Sequence, residues 1–107
     1  MADILVVDDE KNICELLANV VQETGHVARC AQTLHQGLQL TEQHSFAAVL
    51  LDVHLPDGSG LKSLSSFLHQ KSRPEVIIIT GYADLQGAEF ALTQGAFDYI
   101  QKPVTMK

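Results

Sequence analysis

Apolar residues gather in short blocks, separated by longer stretches in which they recur every three or four positions. The blocks are Ile4-Leu5-Val6-Val7, Ala47-Ala48-Val49-Leu50-Leu51 and Val76-Ile77-Ile78-Ile79, with a weaker one at Val27-Ala28-Arg29-Cys30-Ala31. Each is too short for a buried helix and rich in branched residues, as strands are. Three are apolar at consecutive positions, which predicts strands covered on both faces, as in a parallel sheet between helices. Phe97-Asp98-Tyr99-Ile100 reads as a fifth strand. Between the blocks the period shifts to that of a helix. Ile13, Leu16, Leu17, Val20 and Val21 mark a first helix, stopped at Gly25 by a left-handed end. Thr33 to Gln36 has the form of a capping box leading into Leu34, Leu38 and Thr41, in a helix that Gly37 weakens by about 1 kcal/mol relative to Ala. Leu61, Leu64, Phe67 and Leu68 predict a third helix after a Gly58-Ser59-Gly60 turn. Leu85, Ala88, Ala91 and Leu92 predict a fourth, opened by Asp84 as N-cap and closed by Gly95.

Strands alternating with helices over short connections give an α/β fold with a parallel sheet and right-handed crossovers. Ligands of such folds bind outside the carboxyl ends of the strands, where the strand order reverses. At those ends stand Asp8-Asp9-Glu10, Asp52, Thr80-Gly81 and Lys102-Pro103. Carboxylates about 4 Å apart repel by roughly 4 kcal/mol per pair at an effective dielectric near 20, so a cation must share the site. Oxygen ligands without Cys or His select a hard ion, and a partial ligand set with room for water and a phosphate oxygen suits Mg²⁺ better than Ca²⁺. A Thr hydroxyl and a Lys ammonium are what a phosphoryl group in transfer requires. Asp52, single at the central strand, is the carboxylate placed to act as nucleophile toward phosphorus.

At 107 residues the chain makes one domain, 1–107. Its 46% apolar and 19% charged residues exclude a disordered tail or a coiled coil. Seven Lys and Arg against thirteen Asp and Glu leave a net charge of −6, with no basic stripe, which excludes a grip on nucleic acid by this chain alone. Cys14 and Cys30 lack zinc spacing and read as free thiols filling apolar space in a reducing compartment, by default the cytoplasm. The longest apolar run, Phe46 to Leu51, is far short of a membrane span.

Four segments together resemble the response-regulator receiver domains of two-component signalling, over nearly the whole chain. They are Val-Val-Asp-Asp-Glu at 6–10, Leu-Asp-Val-His-Leu-Pro-Asp-Gly-Ser-Gly at 51–60, Ile-Thr-Gly-Tyr-Ala at 79–83 and Gly-Ala-Phe-Asp-Tyr-Ile-Gln-Lys-Pro at 95–103. The resemblance implies a doubly wound five-stranded sheet of order 2-1-3-4-5. It implies that Asp9 binds Mg²⁺ directly, Asp8 mainly through water, and that the backbone carbonyl of His54 completes the metal shell. Asp52 would bind metal and accept a phosphoryl group from a sensor histidine kinase. Thr80 would hydrogen-bond the phosphoryl oxygens, Lys102 would pair with them, and Tyr99 would be the aromatic whose rotamer reports the switch. Lys102-Pro103 is implied to be cis, aiming the Lys into the site. His54 and Tyr82, each two residues beyond a site residue, flank the path of an attacking water, and their rings predict slow loss of the phosphoryl group.

The bland readings are a solvated loop for Asp8 and Asp9, a helix cap for Thr80 and a core ring for Tyr99. The His54 side chain reads as solvent-exposed rather than as a phosphorelay histidine, and His26, His35, His44 and His69 make no ligand spacing. Receivers continue into a fifth helix, whereas this chain stops at Val104-Thr105-Met106-Lys107. The expectation is a piece of a longer chain, with an exchanged or face-to-face homodimer covering the bare sheet face. Gly81 to Asp84 and Ala96 to Pro103 are most similar to receivers of enhancer-binding transcription activators, so DNA would be reached only through an effector domain absent from this chain. The alternatives are a stand-alone receiver acting by protein docking and a Mg²⁺-dependent phosphohydrolase. The latter wants an acid two residues after its nucleophile, where His54 follows Asp52. A nucleotide-binding module lacks its Gly-rich loop after the first strand.

Overall fold

The computed structural model describes residues 2–103; the expectations that turn on residues 104–107 lie outside the described residues. Five strands form one parallel sheet: β1 (Asp3–Val7), β2 (Val27–Ala31), β3 (Ala48–Asp52), β4 (Glu75–Thr80) and β5 (Asp98–Gln101). Their order is β2-β1-β3-β4-β5, with every neighbouring pair parallel. Helices α1 (Lys11–Glu23), α2 (Leu34–Gln43), α3 (Gly60–Leu68) and α4 (Leu85–Thr93) join consecutive strands. The chain runs outward from β1 to β2 and then returns to the far side of β1 for β3. The strand order therefore reverses between β1 and β3, the strands that end in Asp8 and Asp52.

The consecutive apolar runs are explained by the two faces they serve, since alternate residues of a strand point to opposite sides. Leu5, Val7, Val49, Leu51, Val76 and Ile78 join Phe46, Phe67 and Ala88 in the larger core. Val6, Leu50 and Ile79 meet Cys14 and Leu17 of α1 on the other face. Gly37 has a packing purpose that its poor helix propensity hides: a Cβ there would stand 3.0 Å from Val7 Cγ2 and 3.2 Å from Phe67 Cζ. The glycine lets α2 lie close to β1 and α3.

The helix ends match the expected devices at Gly25 and Gly95, whose φ angles of 89° and 114° are left-handed. At α2 the Thr33 hydroxyl accepts the Gln36 N–H, but the Gln36 side chain returns to the N–H of Gln32 rather than to that of Thr33. Asp57, from the loop after β3, supplies the rest of the cap: its two carboxylate oxygens accept the N–H groups of Leu34 and His35 at 2.8 and 2.9 Å. Those two bonds hold its carboxyl below the usual range.

Three local expectations are corrected. Gly58-Ser59-Gly60 is not a plain turn: Gly58–Ser59 pairs antiparallel with His54–Leu55, and the Ser59 hydroxyl caps α3, which begins at Gly60. The last strand starts at Asp98; Phe97 donates its N–H to the Val76 carbonyl at the strand entrance and leaves its ring exposed. Cys14 fills the core as expected, whereas Cys30 lies exposed, on an edge strand with solvent beside it.

Candidate functional site

Asp8, Asp52 and Lys102 are set by backbone bonds at or just beyond strand ends. The Asp8 N–H donates to the Ala31 carbonyl (3.0 Å), continuing the β1–β2 ladder by one residue. Asp8 Oδ1 then accepts the Glu10 N–H at 2.9 Å, which fixes its carboxylate while α1 starts at Lys11. At the end of β3, the Val53 N–H donates to Ile79 and the Gly60 N–H to the Val53 carbonyl. Gly60 lies so close over Asp52 that a Cβ would overlap the Asp52 carbonyl oxygen. Lys102 is brought in from β5 by its N–H bond to the Thr80 carbonyl (2.7 Å), ahead of a cis Lys102-Pro103 peptide.

These ends bring Asp8, Asp9 and Asp52 together, with one carboxylate oxygen from each within 4.8 Å of the others. Asp8 and Asp52 are buried and Asp9 is exposed. The Lys102 Nζ stands among three carboxylates: 3.4 Å from Asp8 Oδ2, 3.3 Å from Glu10 Oε1 and 3.3 Å from Asp52 Oδ1. One ammonium against this much negative charge leaves the site underbalanced. Asp8 Oδ2 is buried without a hydrogen bond, although Lys102 lies within Coulombic reach.

The titration behaviour follows. Burial, reinforced by the Asp8 charge, pushes the Asp52 carboxyl up to about 6 against the pull of Lys102. Burial also raises Asp8, more than the Glu10 N–H and Lys102 lower it. For Lys102 the largest single influence, burial, lowers its pKa, but Asp52, Asp8 and Glu10 together raise it. Close by, the Cys14 thiol donates to the Asp8 carbonyl and is pushed by burial up to about 12, so it is an inert filler. A divalent cation fits this donor set: oxygen ligands only, an orphaned buried carboxylate oxygen, and two carboxyls that burial holds above their usual range.

Thr80 is fully buried at the end of β4, its hydroxyl donating to the Gly81 carbonyl at 3.1 Å. Tyr99 packs half-buried against the larger core. Tyr82 is 81% exposed, the first residue of a 3-10 turn, Tyr82–Asp84, that precedes α4. The His54 side chain is exposed, as expected, yet it is not free: its Nε2 lies 2.7 Å from Asp84 Oδ2. Asp84, the expected cap of α4, makes no cap bond, because it closes the 3-10 turn that runs into the helix and its backbone (φ −109°, ψ 11°) is not the extended one a cap needs; its carboxylate meets His54 instead. Glu10, which stands with Asp8 and Asp9 at the end of β1, is joined by Lys102 from the opposite end of the chain, a pairing that spacing does not show.

Residues 4–107 match the family model of the response regulator receiver domain. Among curated proteins, the chain is 36% identical over 100 residues to the Regulatory protein AtoC of Escherichia coli strain K12, covering 94% of this chain and 22% of that protein. The chain thus spans less than a quarter of that relative's length. Among solved structures, NtrX from Brucella abortus in complex with ADP superimposes with a TM-score of 0.88 at 34% identity, over 97% of this chain and 24% of that one. A response regulator protein from Burkholderia pseudomallei, solved with a phosphorylated aspartic acid, a calcium ion and citrate, gives 0.87 at 28% identity, over 98% of this chain and 62% of that one.

Proposed function

The chain belongs to the response regulator receiver domains, and on that premise we propose that it is a switch worked by Mg²⁺-dependent transfer of a phosphoryl group from a sensor histidine kinase to Asp52. The observation that carries this reading is the placement of Lys102 among the carboxylates of Asp8, Asp52 and Glu10, with Asp8 Oδ2 left unpartnered.

Asp52 acts as the nucleophile. Its carboxyl, at about 6, is mostly ionised at neutral pH, so an oxygen lone pair is available to phosphorus. The new P–O bond forms as the bond between phosphorus and the donor's imidazole nitrogen breaks, the electron pair leaving with the imidazole. Mg²⁺ held by Asp8, Asp9, Asp52 and the His54 carbonyl would supply the positive charge that draws donor phosphate and acceptor together. Lys102, already 3.3 Å from Asp52, stays to pair with a phosphoryl oxygen. The Thr80 hydroxyl, engaged with Gly81 in this state, turns to donate to another. Its inward movement opens room that Tyr99, half-buried beside the core, fills, which changes the surface of α4 and β5. His54 and Tyr82 flank the approach of water and prolong the phosphorylated state.

The output is control of a further domain, in transcription. The named relatives support this reading, since one is a regulatory protein of which the chain spans 22%. Action in the cytoplasm is consistent with the composition. Among the described residues no helix is long and apolar enough to cross a membrane.

The test is intact mass after incubation with acetyl phosphate, with and without Mg²⁺, on the wild type and on Asp52→Asn. A Mg²⁺-dependent gain of one phosphoryl group, absent from the variant and labile to hydroxylamine, is expected. Gain by the variant would move the acceptor elsewhere.

A further inference from the structure

Resting on the reading of Asp52 as acceptor, we propose that Asp84 is a positioning residue that holds the His54 ring across the mouth of the site and so sets how slowly the phosphoryl group is lost to water.

β3 and β4 are neighbours, with Asp52 opposite Ile79. The segments that leave their carboxyl ends therefore border the acceptor on two sides. His54 follows Asp52 on one and Asp84 follows Thr80 on the other, and their side chains meet at 2.7 Å. The two ends of this contact are unequal. His54 is 77% exposed, and an imidazole so open has rotamer freedom unless something fixes it. Asp84 is mostly shielded and sits in a 3-10 turn whose own N–H is bonded to Gly81. Asp84 is thus the fixed partner and His54 the held one.

Hydrolysis of the acyl phosphate requires a water oxygen to reach phosphorus opposite the Asp52 oxygen. The P–O bond to Asp52 then breaks, leaving the carboxylate and inorganic phosphate, with the water's proton passing to solvent. A ring fixed between the two segments narrows that approach, whereas a rotating ring leaves it open for part of the time.

Decay of the phosphorylated protein separates the possibilities. Wild type, His54→Ala, His54→Phe, Asp84→Ala, Asp84→Asn and the His54→Ala, Asp84→Ala double variant are phosphorylated with acetyl phosphate and Mg²⁺. The donor is then removed and phosphoprotein is followed by intact mass. Asp84→Ala and His54→Ala are each expected to shorten the half-life about threefold or more, the scale of one lost hydrogen bond. The double variant should be no faster than His54→Ala alone. Asp84→Asn, which keeps an acceptor for the ring N–H, should restore much of the wild-type lifetime. His54→Phe, a ring that cannot be held, should decay fast even if Asp84→Ala does not fold. Wild-type decay in Asp84→Ala or His54→Phe, or an equal further loss on removing Asp84 from His54→Ala, overturns the proposal. Failure of the wild type to gain a phosphoryl group overturns the acceptor reading instead, and this proposal with it.

Discussion

Lys102 and Asp52, fifty positions apart in the chain, meet at the carboxyl end of the sheet with the ammonium 3.3 Å from one carboxylate oxygen and 3.4 Å from the other. The same ammonium is within 3.4 Å of Asp8 and 3.3 Å of Glu10, so it is the positive centre of an otherwise acidic cluster. Its removal exposes like-charge repulsion between partly buried groups. Lys102→Ala is expected to destabilise the metal-free protein by about 1–2 kcal/mol, between the values for surface and buried pairs. For a domain of this size that lowers the melting temperature by roughly 5–15 °C. Mg²⁺ should recover more of the loss in the variant than it adds to the wild type. Melts in EDTA and in Mg²⁺ check this; equal Mg²⁺ shifts in both proteins would contradict it.

Asp52 makes the opposite contribution when no metal is present. Its charge is held in a buried position beside Asp8, which disfavours the ionised form. Asp52→Asn removes that charge while keeping nearly the same shape, and it leaves Lys102 with Asp8 and Glu10. The variant is expected to be more stable than the wild type in EDTA at pH 7, by about 1 kcal/mol, and less responsive to Mg²⁺. Urea melts at pH 7 give the measurement, and a lower midpoint for the variant would count against the electrostatic account.

The strand ends were legible in the sequence for a physical reason. A central parallel strand is buried on both faces, so its apolar run is continuous, and polar residues at its carboxyl end stand out against it. Asp8, Asp52 and Thr80 are marked in this way, whereas Lys102 follows a mixed edge strand and was legible from the Lys-Pro segment of the receiver resemblance. The pairing of Glu10 with Lys102 and of Asp84 with His54 was not legible, because the partners lie on distant segments and no periodicity links them. Asp84 also carried a misleading local signal, since an Asp before a helix usually caps it. Gly60 looked like a turn residue; the close approach of its Cα to the Asp52 carbonyl exists only in three dimensions.

The raised carboxyls set the pH dependence of the metal-free protein. Asp52 titrates at about 6 in the fold, above the ordinary carboxylate value near 4 that the unfolded chain has. Between those values the folded state holds the extra proton, so stability rises as pH falls from 7 toward 5. Asp8, also raised, acts in the same direction. Asp57, held low by the α2 N–H groups, acts oppositely, and its contribution is lost only on acidification through its own, lower range. Lys102, raised, matters only in alkali. Melting in EDTA should therefore be highest near pH 5, whereas the stabilisation added by Mg²⁺ should shrink as pH falls through about 6, because protons compete for Asp52. Melts at pH 5, 6, 7 and 8 with and without Mg²⁺ test both signs.

Two glycines with similar-looking helical placements should respond very differently to alanine. At Gly60 the added methyl would overlap the backbone carbonyl of Asp52, which cannot give way without moving the end of β3. At Gly37 it would press on Val7 Cγ2 and the rim of Phe67, side-chain atoms that can shift by a few tenths of an ångström. Overpacking there costs about 1–3 kcal/mol, and the gain in helix propensity offsets about 1 of it. Gly37→Ala is thus expected to lose no more than about 2 kcal/mol and to keep the Mg²⁺ response. Gly60→Ala should lose about 3 kcal/mol or more, and the fraction that remains folded should respond less to Mg²⁺, since the displaced strand end carries Asp52. Urea melts of both variants, followed by Mg²⁺ titration of whatever folds, distinguish them. A Gly60→Ala protein as stable as Gly37→Ala would mean that the loop after β3 can yield, and that the position of Asp52 does not depend on this contact.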